Sequence, residues 1–192
     1  MSDEATPEAP QSQENTTATE ETGGKKGMPP WGVAVVAVLA VAALFWPADD
    51  GPKPAPDGML YDSTDHEIFL SKRLEHVTLI HFWATWCGPC IDEIPRIRQV
   101  AADYSDDPNF AVVMVAVADD KDKIREMFGP VVEETLYDPD WDVTKRYGTR
   151  KLPETHLVVA GEIVDSFIGP QDWNRVQVRR RIDAALLTAG TP

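Results

Sequence analysis

Cysteine is nearly absent from this chain. Only Cys87 and Cys90 occur in 192 residues, separated by two residues within WATWCGPC, residues 83–90. That scarcity excludes a disulfide-scaffolded fold, because a bridge around Gly88 and Pro89 closes so short a loop that it constrains almost nothing of the unfolded chain. Histidine is scarce too, limited to His66, His76, His81 and His156. None is paired at metal-ligand spacing and there is no second Cys-x-x-Cys, so a four-ligand structural zinc site has no donor set. Positive charge is also short: 18 Lys and Arg stand against 32 Asp and Glu, a net charge of −14. So acidic a chain does not suit nucleic acid, and an anionic lipid surface would repel it. No internal repeat is present.

What remains for the two cysteines is chemistry. One thiolate attacks a disulfide, and the second, within reach, resolves the mixed disulfide by attacking back. The motif then works as a two-electron switch whose only redox group is the Cys87–Cys90 disulfide, with no separate cofactor and no metal.

Composition divides the chain. Residues 1–27 are rich in Glu, Thr, Ser, Gln and Pro with almost no large apolar side chain, and they read as a disordered cytoplasmic tail. Residues 28–48 hold the one long apolar run. Its uncharged core from Trp31 to Trp46 would rise roughly 24 Å as a helix. Tryptophans bound it, Lys25 and Lys26 precede it, and Asp49 and Asp50 follow it, the pattern of a single transmembrane span with its amino terminus inside. Ala40-Val41-Ala42 resembles a signal-peptide cleavage site but lies within the apolar run, and the charged leader is long, which favours an uncleaved signal anchor. Residues 49–58 are proline-rich and polar and read as a spacer. Residues 59–189, about 130, suffice for one domain and not two. The first 27 residues carry six acids and two lysines, which leaves −10 of the −14 on the remainder.

Periodicity maps the domain. VTLIHFW (77–83) and FAVVMVAVA (110–118) read as buried strands. Cys87 to Ala102 reads as a helix with Ile91, Ile94, Ile97 and Ala101 on one stripe, and a charged helix follows near 121–128. THLVV and EIVDSFI flank Ala160-Gly161 as a hairpin, and 171–187 completes the chain as an amphipathic helix. The fold class is α/β, a mixed sheet that is parallel inside with an antiparallel edge. Cys87 thus falls at a strand-to-helix turn. There, unpaired backbone N–H groups and the helix dipole lower a thiol's pKa from about 8.5 into roughly the 3.5–7.5 range, which makes Cys87 the nucleophile. Cys90, inside the first turn, takes the resolving role.

FWATWCGPC followed by IDEIP, and KLPET before a later strand, resemble the membrane-anchored TlpA/ResA-like branch of the thioredoxin superfamily, over roughly 60–187. The resemblance implies a thioredoxin fold with a helix and strand inserted within residues 119–147. It implies that Cys87 attacks and Cys90 resolves, that Pro153 is a cis-proline facing the cysteines, and that Pro95 kinks the active-site helix. Substrate contacts are then expected at Trp86, Gly88 and Pro89, and at Leu152 and Pro153, where the Leu152 backbone is free to pair with an extended peptide. Relatives of this kind reduce protein disulfides outside the cytoplasm, in cytochrome c maturation (apocytochrome c) or copper-centre assembly, and take electrons from a membrane thiol donor. That places the domain on the outer side of a bacterial cytoplasmic membrane. Glycine and proline between the cysteines, as in reducing thioredoxins, favour a reductase over an oxidase or isomerase.

Three further side chains are proton-transfer candidates. Glu93, three residues after Cys90 on the same helical face, is placed to take its proton. His81 stands on the first strand where plain thioredoxins carry a buried aspartate. A neutral ring there would accept a proton and a cationic one would stabilise thiolate, against the plainer reading of a hydrogen-bonded core histidine. Glu154 follows Pro153 directly. The alternative function, a copper chaperone, would use Cys87, Cys90 and His156, since thiolate and imidazole suit copper.

Overall fold

The computed structural model describes residues 51–189 and the isolated Val35. The expected tail (1–27) and, Val35 aside, the expected anchor (28–48) lie outside the described residues. Among the described residues no helix is long and apolar enough to cross a membrane.

In chain order the strands are β1 (Lys53–Pro54), β2 (Met59–Tyr61), β3 (Glu67–Phe69), β4 (Val77–Trp83), β5 (Phe110–Val117), β6 (Thr135–Asp138), β7 (Glu154–Val159) and β8 (Glu162–Ile168). The helices are α1 (Gly88–Asp103), α2 (Lys121–Phe128), α3 (Val131–Glu134), α4 (Asp142–Arg146) and α5 (Val176–Ala189), with a 3-10 turn at Leu70–Arg73. The strands form one sheet in the order β1-β8-β7-β4-β5-β6-β2-β3. β4, β5 and β6 run parallel, and antiparallel strands complete both sides. This is the expected mixed α/β architecture, with α2, α3, β6 and α4 filling the interval 119–147.

The β4 sequence VTLIHFW, β-branched and aromatic throughout, is buried at all seven positions, because layers cover both sheet faces. Alternation sends Val77, Leu79, His81 and Trp83 to the face covered by α1, and Ile80 and Phe82 to the other. Two cores result. The first joins Leu79 and Trp83 to Cys90, Ile94 and Ile97 of α1 and Ile182 of α5. The second joins Ile80 and Phe82 to Leu60, Val115, Val143 and Tyr147. Ala160 and Gly161 link β7 and β8 with φ of 51° and 81°, the double left-handed geometry of a two-residue hairpin turn.

Three expectations need correction. Residues 51–58, read as spacer, are built into the fold: Lys53 and Pro54 pair with Ile163 and Glu162 of β8, and Ala55 N–H donates to the Gly161 carbonyl at 2.8 Å. Proline-rich composition fits an edge strand as well as a linker, since a ladder amide can be spared there. The buried stripe of α1 is rotated from the expected one. Cys90, Glu93, Ile94, Ile97 and Val100 are buried, while Ile91 and Ala101 are only half-buried. The helix turns that way because Glu93 finds donors inside. The final helix starts at Val176 rather than Gln171, because Gln171 and Trp173 supply those donors.

Gly58 has no room for a side chain. A Cβ there would lie 2.6 Å from Cγ2 of Val143, a stiff β-branched residue 1 % exposed in the second core. Gly58→Ala is therefore expected to destabilise the domain by about 1–3 kcal/mol as an overpacking substitution, read as a lower urea midpoint with an unchanged m-value.

Candidate active site

β4 ends at Trp83, and the chain turns through Ala84, Thr85 and Trp86 into α1. Cys87 is the N-cap of α1 and Pro89 stands in its first turn, where a missing N–H costs nothing. The Cys87 carbonyl accepts from Cys90 N–H at 3.0 Å and Ile91 N–H at 3.2 Å. Cys87 and Cys90 form a disulfide. Cys87 is 8 % exposed and Cys90 0 %, so both are largely buried and only Cys87 keeps any solvent contact. Gly88 and Pro89 are exposed beside it, and Trp86 is 56 % exposed. Thr85 fixes the turn: its N–H and hydroxyl both donate to the Asp119 carboxylate, beyond β5. The Leu152–Pro153 bond is cis. Leu152 is half-buried and packs on the core that contains both cysteines, and the Pro153 carbonyl accepts from Gly169 N–H at 2.9 Å. The helix continues through Pro95, which leaves the Ile91 carbonyl without its usual amide donor.

Glu93 is buried at 3 % exposure. One carboxylate oxygen, Oε1, accepts from Gln171 N–H at 3.0 Å and from the Trp173 indole N–H. The other, Oε2, is buried with no partner. Burial pushes the Glu93 pKa up, against the opposing pull of the two donors and Arg96. A carboxylate with one oxygen anchored and one free, its proton affinity raised, is suited to receive a proton.

His81 is fully buried on the α1 face. Nδ1 lies 2.8 Å from the Thr155 hydroxyl, and Nε2 has no partner. Burial lowers its pKa to about 3, so the ring is neutral and the cationic role considered above is excluded. Glu154 is not a surface carboxylate. It is 7 % exposed at the start of β7, its pKa raised by burial against a Thr149 hydrogen bond, with Oε1 3.3 Å from His156 Nε2. His156 also meets Thr149 Oγ1 at 2.9 Å and Ser166 Oγ at 2.8 Å, and burial lowers its pKa to about 4. Its ring packs on Phe82 and Tyr147, in the core across the sheet from the cysteines. The copper set Cys87, Cys90 and His156 is therefore not brought together. Among the described residues no cluster of three His, Cys, Asp or Glu is placed to hold a metal ion.

Two tryptophans escaped the sequence reading. Trp173, 0 % exposed, lay inside what read as an amphipathic helix. Trp141, between β6 and α4, rests on Trp86 with ring centroids 6.1 Å apart. No periodicity marks an isolated aromatic in a turn.

A strand, a Cys-Gly-Pro-Cys helix start closed by a disulfide, a buried glutamate one turn on and a cis-proline loop define a thiol–disulfide oxidoreductase of thioredoxin fold. The sequence matches the redoxin family over residues 51–186, and the chain belongs to it. It is 28 % identical to the thiol:disulfide interchange protein DsbE of Allochromatium vinosum over 167 residues, covering 79 % of this chain and 88 % of that one. It is 32 % identical to the thiol-disulfide oxidoreductase ResA of Geobacillus kaustophilus over 107 residues, 54 % of this chain and 60 % of that one. Among solved structures, a thiol:disulfide interchange protein DsbE from Chlorobium tepidum superposes with a TM-score of 0.60 at 27 % identity, covering 71 % of this chain and 98 % of that one. A thioredoxin from Neisseria meningitidis gives 0.60 at 30 %, covering 73 % and 94 %. The protein is thus a ResA/DsbE-like member of the thioredoxin superfamily, acting on protein disulfides.

The raised pKa of Glu93 has a stability consequence. The folded state holds that proton more tightly than the unfolded one, so its contribution is present below the unfolded carboxyl pKa, near 4.5, and is lost as pH rises through the folded value. His81 and His156, held neutral, give the opposite slope below about 6.5. Urea titrations of oxidised wild type and Glu93→Gln between pH 4 and 8 are expected to diverge, with wild type losing stability relative to the variant as pH rises. Parallel curves would show that the carboxyl is not perturbed.

Proposed function

We propose that this oxidoreductase is a reductase of protein disulfides acting outside the cytoplasm, with Cys87 attacking, Cys90 resolving and Glu93 serving Cys90 as base. The carrying observation is the contrast within the pair: Cys87 keeps a little exposure at a helix N-cap, while Cys90 is fully buried three residues before the buried Glu93 on the same helix. The Cys87 thiolate attacks one sulfur of a partner disulfide, forming the mixed disulfide and releasing the partner's other sulfur as thiolate. Glu93 then takes the Cys90 proton. The Cys90 thiolate attacks Cys87 Sγ, the protein disulfide forms and the second partner thiol leaves. Two electrons pass to the partner, and a membrane thiol donor restores the reduced pair without a further cofactor. Trp86, Gly88 and Pro89 border the attacked sulfur, and the Leu152 backbone beside Pro153 offers an extended partner strand a pairing edge. Cytochrome c maturation through apocytochrome c, or copper-centre assembly, supplies partners of this kind, and the DsbE and ResA names of its relatives favour that setting. Placement outside the cytoplasm rests on the apolar segment 28–48 with lysines before it and aspartates after it.

Cys90→Ser is expected to accumulate mixed disulfides with partners and Cys87→Ser to trap few. Equal trapping, or the reverse, would overturn the assigned order. Glu93→Gln is expected to slow resolution of a preformed mixed disulfide about 10- to 100-fold at neutral pH; an unchanged rate removes its role as base. Protease added outside intact cells is expected to release the domain, and full protection would place the cysteines in the cytoplasm.

A further inference from the structure

Trp141 sits where local physics favours another residue. Its φ of 64° and ψ of 19° are left-handed, a conformation open to glycine at little cost and disfavoured for a large side chain. The surrounding contacts impose it. Asp138, 2 % exposed, uses its carboxylate to accept from Asp142 N–H at 2.9 Å, Thr144 N–H at 2.7 Å and the Thr144 hydroxyl at 2.6 Å. The turn from β6 into α4 is thereby clamped with residue 141 at its apex. The indole is half-buried, packed at the edge of the second core, and lies against Trp86, their planes 31° apart. Trp86 is fixed in turn by its Nε1–H donating to the Ala118 carbonyl at 3.1 Å. Backbone strain of this kind persists where a function uses it, and the product here is a continuous two-ring surface beginning one residue from the attacking cysteine.

Its surroundings are acidic. Asp119 and Asp120 follow β5, and Asp140 and Asp142 flank Trp141, with Asp120, Asp140 and Asp142 exposed. Of the cations on these elements, Lys145 Nζ donates to the Asp140 carbonyl within the same turn, while Lys121 is held by Asp65 and Arg146 by the Asp57 carbonyl. Arg150 and Lys151 belong to the loop before β7. Since β5 and β7 lie on opposite sides of β4, that loop approaches the disulfide from the other side. π faces carried on segments with several exposed aspartates suit one kind of side chain, a planar cation.

We infer that Trp86 and Trp141 form a docking platform for an arginine close to the target cysteine of an extended partner segment, making Trp141 a specificity-determining residue. The inference rests on the oxidoreductase reading and adds the class of partner. Reduced Cys90→Ser protein would be reacted with short peptides whose single cysteine carries a 2-pyridyl disulfide and whose neighbouring residues, two on each side, are set in turn to Arg, Gln or Glu. Second-order rate constants would be divided by that for a neutral hydroxyethyl pyridyl disulfide. At one or more positions Arg is expected to exceed Glu about fivefold, declining with salt. Adding Trp141→Gly should bring the ratio to about one with the fold retained, as checked by a cooperative thermal melt, since glycine accepts this backbone even though the indole's packing on the second core is lost. Trp141→Phe should retain most of the preference, and Asp140→Asn with Asp142→Asn should remove most of the salt dependence. Equal rates for Arg and Glu everywhere, or a preference that survives Trp141→Gly, would overturn the platform. Failure of Cys87 to outpace a free thiol toward the neutral reference would instead count against the oxidoreductase reading.

Discussion

A buried carboxylate organises the active half of this molecule. Taking Glu93 out of water is costly unless donors replace its hydration, and the chain supplies an indole N–H from Trp173 and a backbone N–H from Gln171. Meeting that need sets the rotation of α1 and so decides which sulfur is sealed. It keeps residues 171–175 out of the last helix and draws Trp173 down beside Phe167 of β8, ring centroids 5.5 Å apart. Helix, sheet and the connection into α5 meet at one oxygen. The second oxygen is left unpaired, which an interior normally avoids and which a proton acceptor requires.

The sheet keeps two kinds of polar chemistry apart. On the α1 face, His81 and Glu93 each leave one buried polar atom unpartnered. On the opposite face the polar cluster is satisfied: Glu154, Thr149, His156 and Ser166 are joined by contacts of 2.8–3.3 Å. That second cluster pins the first residues of β7 immediately after Pro153, and so holds the cis-proline loop in place. His156 is accordingly a positioning residue rather than a ligand.

Much of this was readable from sequence because it obeys one-dimensional rules. The apolar run of β4, the Ala160-Gly161 turn, the Cys-Gly-Pro-Cys helix start and the X-Pro loop are local signals, and each fell where expected. The misses are places where a distant contact overrode a local rule. Glu93 was legible as a proton-transfer candidate from its spacing to Cys90, but its burial was not, since the indole that buries it comes from 80 positions away. Residues 53–54 looked like linker until β8, over 100 positions downstream, offered them a partner. Trp141 carried no periodic signal at all, since its conformation is imposed by a buried aspartate three residues earlier.

The outer strands of the sheet have a consequence for behaviour in a crowded compartment. β1 is two residues long and contains a proline, and β3 is three residues long with Lys72 and Arg73 close behind. β8, wider than the strand that covers it, is broken by a bulge in its pairing with β7 and carries Asp165 tied to Arg181. Short, proline-bearing, charged edges are poor templates for another chain's backbone. The margins of the sheet therefore offer little backbone to pair with, so the domain can sit among strand-forming polypeptides without its own edges seeding an aggregate.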